Sequence, residues 1–110
     1  MRISDIKNST VPYFKGNFAP VQQEHNEPCL KIIGAVPKAL NGAFLRIGAN
    51  PVFVNDPESY HPFAGDGMIH EVFFNQGKVT YINLFVETEG HLAEQEKGGV
   101  IWDGLKTQPD

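Results

Sequence analysis

Two apolar segments stand out in the pattern of hydrophobic and polar positions along this chain. Residues 68–74 and 79–86 are rich in β-branched and aromatic side chains, and the turn-forming residues 75–78 lie between them. Apolar runs of this kind on either side of a short turn are typical of a β-hairpin. We therefore predict a hairpin over residues 68–86 and expect the rest of the chain to be organised around it.

Both faces of the predicted hairpin are largely apolar, because side chains alternate between the two faces of a strand. Met68, Val72 and Phe74 share one face of the first strand, whereas Ile69 and Phe73 share the other. The second strand divides in the same way, and its two sets are Val79, Tyr81 and Phe85 against Ile82, Leu84 and Val86. A hairpin in an isolated surface sheet would have one polar face. The pattern therefore predicts that protein covers both faces.

Shorter elements precede the hairpin. We predict a short strand over residues 30–34 and a buried strand over residues 43–47, which follows the turn signal Asn41-Gly42. The segments that we expect to lack regular structure are an N-terminal arm and two loops, at residues 1–16, 22–28 and 52–59.

A Gly-Asp-Gly segment leads into the hairpin. We predict a turn at Gly65, Asp66 and Gly67, with positive φ at one or both glycines. Asp66 is expected to cap nearby backbone N–H groups in this turn, a role that we favour over that of a catalytic carboxylate. After the hairpin, residues 90–98 are expected to form one or two helical turns, which the flanking glycines confine.

The composition favours one small, turn-rich β domain. The chain has 110 residues, of which 41% are hydrophobic, with 11 glycines and 8 prolines. A formal net charge of -4 without a basic run gives little support to nucleic-acid binding. A single cysteine excludes an internal disulfide framework, and no apolar run approaches the roughly 18 residues of a membrane span. Residues 1–13 lack the layout of a secretory signal, so the simplest interpretation is a soluble chain.

Several motifs in one order and spacing point to a known family. They are Asn17-Phe18-Ala19-Pro20-Val21, Leu40-Asn41-Gly42-Ala43-Phe44-Leu45-Arg46, Gly48 with Asn50-Pro51, Tyr60-His61, Phe63, residues 65–70 and Phe85-Val86-Glu87-Thr88. Together they resemble the start of the carotenoid cleavage oxygenases. That family includes carotenoid and apocarotenoid dioxygenases, lignostilbene dioxygenases and the retinoid isomerohydrolase. The resemblance extends from about residue 16 to about residue 90.

The resemblance implies a seven-bladed β-propeller capped by helical loops, with a non-haem ferrous iron on its axis. A blade lies between neighbouring blades, which accounts for a hairpin that is apolar on both faces. The predicted fold class is therefore all-β. The chain would hold an N-terminal arm with loops over residues 1–29 and parts of one or two blades over residues 30–110, an incomplete propeller. An enzyme of this family is several-fold longer than this chain.

The chain departs from the family's motifs at three places. Ile47 and Ala49 stand where the family usually has Asn and Pro, and Ala64 stands where it usually has Asp. Leu84 occupies a position where Arg is common. Because Ala64 cannot supply a carboxylate, these departures imply a divergent subfamily.

The four histidines of the chain, His25, His61, His70 and His91, match the number that holds the family's iron. The family's ligands lie in later blades, however, and His61 and His70 fall in motifs that are not ligand motifs. His25 and His91 lie in polar stretches without an HxH or HxxxH partner. We therefore predict no metal ligand in this chain. His61 and His70 are expected to be structural histidines that form hydrogen bonds within the sheet.

Phe63 is the one residue to which the resemblance assigns a substrate contact, and no catalytic residue is predicted. In the family the aromatic residue of this motif can line the substrate tunnel, where its face would stabilise a polyene or a developing cation. The alternative is that Phe63 belongs to the core. Other candidates have structural interpretations: Cys29 as a small apolar filler, Glu87 and Glu89 as solvated carboxylates, and Trp102 as a core or blade-contact residue.

The resemblance implies that the complete enzyme is a dioxygenase that cleaves a conjugated C=C bond of a carotenoid, apocarotenoid or related polyene. Its cofactor would be Fe(2+), its partners the polyene and O2, and this part of it would be inactive alone. The implied location is cytoplasmic, with contact to a membrane surface for substrate uptake, or a plastid if the source is a plant. The alternative is a binding function in place of an enzymatic one: a small, non-catalytic β-rich domain that binds a partner through its apolar sheet.

Overall fold

The structure, a computed structural model, describes residues 1–6 and 11–101, so the prediction for Trp102 lies outside the described residues. Its main element is an antiparallel sheet of four strands in the order β1-β4-β3-β2. The strands are β1 (His25–Glu27), β2 (Gly42–Asn50), β3 (Asp66–Asn75) and β4 (Lys78–Phe85). One helix, α1 (Glu89–Lys97), follows the sheet, and short 3-10 helices lie at Ile3–Asp5, Pro12–Phe14, Gly16–Phe18 and Pro57–Ser59. The described chain is therefore mostly β.

The strands β3 and β4 form the predicted hairpin. Their pairing ends with Asn75 opposite Lys78, so the loop between them consists of Gln76 and Gly77. Both loop residues have positive φ, 52° and 82°, which matches the right-handed twist of the paired strands. The hairpin prediction is confirmed. The first strand begins earlier than predicted, at Asp66, because the segment expected to be a turn already pairs with the end of β2.

The strand β2 lies at one edge of the sheet and pairs with β3 along its whole length. The strand predicted over residues 43–47 is thus confirmed and extended at both ends, but the prediction that it is buried is wrong. Phe44, Leu45 and Ile47 are 63%, 59% and 66% exposed. An edge strand has a neighbour on one side only, and within the described chain no second layer covers these side chains.

The strand β1 lies in a segment that we expected to be a loop. His25 pairs with Asn83 of β4, and the backbone N–H of Leu30 donates to the Val79 carbonyl at 2.9 Å. Residues 30–34, which we expected to be a strand, contain none. Both predictions were wrong for the same reason. Backbone pairing at a sheet edge does not require apolar side chains, so the polar sequence His-Asn-Glu could form the strand.

The core of the described chain is small and lies where loops were expected. Val52, Phe53 and Val54 are buried, and the N-terminal segment pairs with them. The Ile3 N–H donates to the Val52 carbonyl at 2.9 Å, and the Val54 N–H donates to the Met1 carbonyl at 2.8 Å. Residues 1–6 are therefore anchored to residues 52–54, and the described part of the predicted arm contains only short 3-10 helices, such as Ile3–Asp5 and Pro12–Phe14, as regular elements.

The helix α1 is longer than the one or two turns predicted. Thr88 caps its N-terminus, because the Thr88 hydroxyl accepts a hydrogen bond from the His91 N–H at 3.0 Å. Gly98 ends it in the left-handed conformation with φ 76°, and its N–H donates to the Glu94 carbonyl at 2.8 Å. Gly98 was predicted as a boundary, whereas Gly90 lies inside the helix.

The two faces of the sheet differ in how much of them the chain covers. The side chains of Met68 and Val79 lie on one face and are buried. The opposite face, called the outer face here, carries large apolar side chains that are between 37% and 66% exposed: Leu45, Ile47, Ile69, Phe73 and Leu84. The described chain therefore covers one face in part and leaves the outer face open.

Candidate functional site

A cleft of about 340 Å³ lies between α1, the buried segment at residues 52–54 and the start of β3. Its lining carries the titratable groups Asp56, Tyr60, Asp66, His91 and Glu94. Two of them are in direct contact, because His91 Nδ1 lies 3.0 Å from Asp66 Oδ2. This cleft is where chemically active side chains are most concentrated in the described chain.

His91 is buried and held from two sides. Its ring stacks on Phe85 of β4, with the ring centroids 4.9 Å apart, and its Nδ1 faces the Asp66 carboxylate. The polar stretch around His91, which has no HxH or HxxxH partner, did not indicate this contact. The capping role predicted for Asp66 was wrong, because its carboxylate binds the imidazole of a residue 25 positions away. The sequence signal for this contact is weak: Thr88, as an N-cap, places His91 in the first helical turn.

Tyr60 closes the cleft near the start of β3. Its ring meets Phe14 edge-on at 5.2 Å. The pKa of Tyr60 is raised to about 12, chiefly by burial; a hydrogen bond to the Gly65 backbone lowers it, and the negative charge of Asp66 adds to the rise. The phenol therefore stays neutral and serves as a hydrogen-bonding group.

Gly65 is required by close packing and not by its φ angle. The prediction of positive φ at Gly65 or Gly67 was wrong, because neither is among the glycines with positive φ. A Cβ at Gly65 would lie 2.7 Å from the Pro51 backbone nitrogen and 2.8 Å from the Tyr60 hydroxyl. A Cβ at Gly67 would meet Val86 at 3.4 Å, which is ordinary contact. The two glycines therefore have different roles.

A second group of polar residues crosses the covered face of the sheet as one row. Arg46, His70, Asn83 and His25 are register partners on β2, β3, β4 and β1. His70 Nδ1 lies 2.7 Å from the hydroxyl oxygen of Tyr81, which also accepts a hydrogen bond from Asn83 Nδ2 at 3.1 Å. Burial lowers the pKa of His70, and the positive charge of Arg46 lowers it further. The prediction that His70 is a structural histidine within the sheet is confirmed.

The remaining predicted residues lie apart from the cleft. His61 lies in the segment before β3 and accepts a hydrogen bond from the Phe63 N–H at 3.1 Å, so its predicted place within the sheet was wrong. Cys29 is exposed, which overturns its interpretation as an apolar filler. Glu87 and Glu89 are exposed, as expected of solvated carboxylates.

Phe63 lies on the surface of the described chain. Its side chain is 79% exposed, and its ring lies 5.5 Å from that of His61 in a tilted arrangement. Phe63 is therefore not part of the core that these residues form. Its contact with a substrate stays a prediction.

The histidines present do not fit an iron site. Over residues 1–6 and 11–101, no three His, Cys, Asp or Glu side chains lie close enough to hold a metal ion together. His70 faces Tyr81 and His91 faces Asp66. The predicted absence of metal ligands in the whole chain stays a prediction.

Within the described chain, the Asp66–His91 pair joins elements of the fold and contacts no nucleophile. Ser59 also lines the cleft, but its hydroxyl donates to the Asp56 carbonyl at 3.3 Å. No hydroxyl or thiol of the described residues is bonded to the His91 ring. The pair instead connects the first residue of β3 with the first turn of α1.

None of the helices in the described ranges is both long and apolar enough to cross a membrane.

Comparison with known proteins gives one consistent result. The family model of the retinal pigment epithelial membrane protein matches residues 18–110. Carotenoid 9,10(9',10')-cleavage dioxygenase 1 of Phaseolus vulgaris is 43% identical over 96 residues, which are 86% of this chain and 17% of that protein. A carotenoid cleavage oxygenase of Mycobacterium tuberculosis is 40% identical over 89 residues, 80% of this chain and 18% of that protein.

Solved structures show the same similarity in three dimensions. The lignostilbene dioxygenase of Pseudomonas brassicacearum matches with a TM-score of 0.78 and 28% identity, over 87% of this chain and 20% of that one. A variant of the Synechocystis apocarotenoid oxygenase matches with a TM-score of 0.72 and 32% identity, over 83% of this chain and 19% of that one. The chain thus spans less than a fifth of the curated relatives quoted above. It belongs to the retinal pigment epithelial membrane protein family, that of the carotenoid cleavage oxygenases.

Proposed function

We propose that this chain is the N-terminal part of a non-haem iron(II)-dependent dioxygenase that cleaves a conjugated C=C bond of a carotenoid, apocarotenoid or related polyene. The observation that carries the proposal is the match of most of the chain to solved oxygenases, of which it covers about a fifth. In the overall reaction, the two atoms of O2 end in two carbonyl products. The complete protein would be the active form, and this part alone would be inactive.

The sheet would be one blade of a seven-bladed β-propeller. Blades of a propeller pack face to face around a central channel, so a blade taken alone leaves apolar faces uncovered. The exposed outer face supports this proposal, with Ile47 and Leu84 as examples. The edge strand β2 supports it further, because its apolar side chains are exposed on both faces of the sheet.

The part described here would supply scaffold and one wall of the substrate tunnel. The iron ligands would come from histidines outside this chain, because the described residues hold no suitable group. Phe63 would contribute the tunnel wall, since its exposed ring can contact a conjugated chain by dispersion. Contact of the complete protein with a membrane surface would give it access to apolar substrates.

The proposal is tested with the complete polypeptide that the gene encodes. We expect it to convert a carotenoid or apocarotenoid into two carbonyl products in the presence of Fe(II) and O2, as followed by chromatography. Residues 1–110 alone should give none. Phe63→Ala should lower kcat/KM for the polyene, whereas Phe18→Ala, which removes another exposed aromatic ring, should leave it unchanged. A complete protein that consumes no polyene would contradict the proposal.

A non-catalytic binding domain is the second candidate, and the open outer face favours it. In that case the apolar side chains of Leu45, Ile69 and Leu84 would bind a partner protein directly. The state of the isolated chain separates the two proposals. A cooperative, monomeric domain favours the binding function, whereas an unstable part of a larger fold favours the oxygenase.

A further inference from the structure

Arg46 is a cation without a counter-ion in the described structure. It lies in the middle of β2, exposed, next to His70 in the polar row. His70 lies close enough for the Arg46 charge to lower its pKa. No carboxylate of residues 1–6 or 11–101 forms a salt bridge with Arg46.

The pocket around Arg46 has a positive character in a chain of negative net charge. It measures about 300 Å³, and its lining contains Arg46 and His70 but no Asp or Glu. Aromatic rings of Tyr13 and Tyr60 form part of its walls. The whole chain has a net charge of -4, yet this lining contains no acidic group. The pocket is suited to a carboxylate.

The surroundings of Arg46 indicate that protein covers it. Phe44, on the same face of β2 as Arg46, is 63% exposed, and Leu45 and Ile47 on the opposite face are 59% and 66% exposed, so the described chain covers neither face of β2 around Arg46. The chain also spans 17% and 18% of two curated relatives, so most of such a protein lies outside these residues. A covering layer would bury the guanidinium, and a buried charge is strongly unfavourable unless it is paired.

We propose that Arg46 binds the carboxylate of an Asp or Glu side chain that the remainder of the complete protein places in this pocket. The proposal rests on the proposed function to the extent that the chain must be part of a longer protein. Arg suits the role, because its planar guanidinium can bind both oxygens of a carboxylate. Apolar residues of the covering segment would pack on Phe44 at the same time.

The first experiment compares Arg46→Met with Lys38→Met in the complete protein by thermal unfolding. Lys38 is another exposed cation of the same chain and serves as the matched control. We expect Arg46→Met to lower the melting temperature by several degrees, and Arg46→Lys, which keeps the charge, to recover part of that loss. Lys38→Met should melt with the wild type. An Arg46→Met protein as stable as the control overturns the proposal.

The second experiment identifies the partner. In Arg46→Glu protein, each Asp or Glu beyond residue 110 is changed to Arg in turn, and one such exchange should restore the wild-type melting temperature. Restoration by an acidic residue within residues 1–110, or by none, overturns the proposal. A third measurement adds free benzoate. If benzoate stabilises the wild type but not Arg46→Met, the pocket holds a small carboxylate, and the proposal is overturned. Melting is measured apart from polyene cleavage, so an inactive protein in which one exchange restores stability contradicts only the proposed function.

Discussion

The carboxylate of Asp66 lies 3.0 Å from the ring nitrogen Nδ1 of His91, and this contact joins the first residue of β3 to the first turn of α1. His91 is buried and also stacks on Phe85. Two residues 25 positions apart, on different elements, are thus fixed to each other by one polar contact backed by an aromatic ring.

Removing either partner of this contact should destabilise the complete protein. We expect Asp66→Asn and His91→Gln each to lower the free energy of unfolding by about 1–3 kcal/mol, since the buried His91 or the half-buried Asp66 that remains loses its partner. The double variant should cost less than the sum, with a coupling of roughly 0.5–3 kcal/mol. Glu96→Gln, on the exposed side of α1, is the control. Strictly additive single effects in denaturant unfolding would show that the contact carries no energy.

The two glycines before and in β3 should respond differently to the same small substitution. Gly65→Ala places a Cβ 2.7 Å from the Pro51 backbone nitrogen, and such overpacking should cost roughly 1–3 kcal/mol of stability. Gly67→Ala meets Val86 at 3.4 Å and should be almost neutral. Thermal unfolding of the two variants in the complete protein measures the difference. Equal effects would contradict the packing role of Gly65.

His70 should make stability depend on pH in the mildly acidic range. Its pKa is lowered below the ordinary value of 6.5, chiefly by burial and next by Arg46. The unfolded chain therefore takes up a proton first as the pH falls, and stability present above pH 6.5 is lost as the pH falls through the lower folded-state value. His70→Gln should flatten this dependence, whereas His61→Gln should not. A steep loss that persists unchanged in His70→Gln would assign the effect to another group.

The isolated 110-residue chain should aggregate through its outer face. Each uncovered Val, Leu, Ile or Phe forfeits roughly 1.5–3 kcal/mol of burial. Five open apolar side chains therefore forfeit an amount comparable with the roughly 5–15 kcal/mol by which a whole domain is stable. We expect dye-binding, poorly cooperative material in sedimentation and calorimetry, and more monomer in the variant Ile47→Lys with Leu84→Lys. Leu92→Lys, an exposed site on α1, is the control. A monodisperse wild-type monomer with a sharp melt would favour the binding domain instead.

The same chain should bind no catalytic iron. Its histidines lie on different elements and have different partners. His70 of β3 contacts Tyr81, whereas His91 of α1 contacts Asp66. Anaerobic Fe(II) titration, desalting and metal analysis should leave far less than one iron per chain. Stoichiometric iron that disappears in His61→Ala with His70→Ala would contradict the prediction.

The parts of the fold that could be predicted from sequence are those in which side-chain pattern and backbone pairing agree. The hairpin has two runs rich in β-branched and aromatic residues and a loop at Gln76-Gly77, and it was predicted correctly. β1 was missed because its pairing with β4 involves backbone groups and the Asn83 side chain, and none of these has a hydrophobic signature. The burial of Val52 was missed because its partner segment, Ile3, is distant in sequence.

The candidate site was harder to predict than the fold. His70 could be assigned to the sheet from its motif, whereas the Asp66–His91 contact depends on how α1 turns back onto the sheet. Gly65 was recognised as important for the wrong reason, since sequence cannot distinguish a glycine required by φ from one required by a neighbouring backbone. Packing partners from distant segments decide both cases.

Because β1 pairs with β4, it can join the sheet only after β4 has been synthesised. His25 and its partner Asn83 are 58 residues apart. At the usual rate of translation, roughly 3–12 s pass between the two residues leaving the peptidyl-transferase centre. β1 therefore lacks its partner strand while β2, β3 and β4 are made, and the hairpin can pair before β1 is able to join it. A strand with the sequence His-Asn-Glu is suited to that delay, because its polar side chains have little tendency to pack against apolar segments other than its native partner.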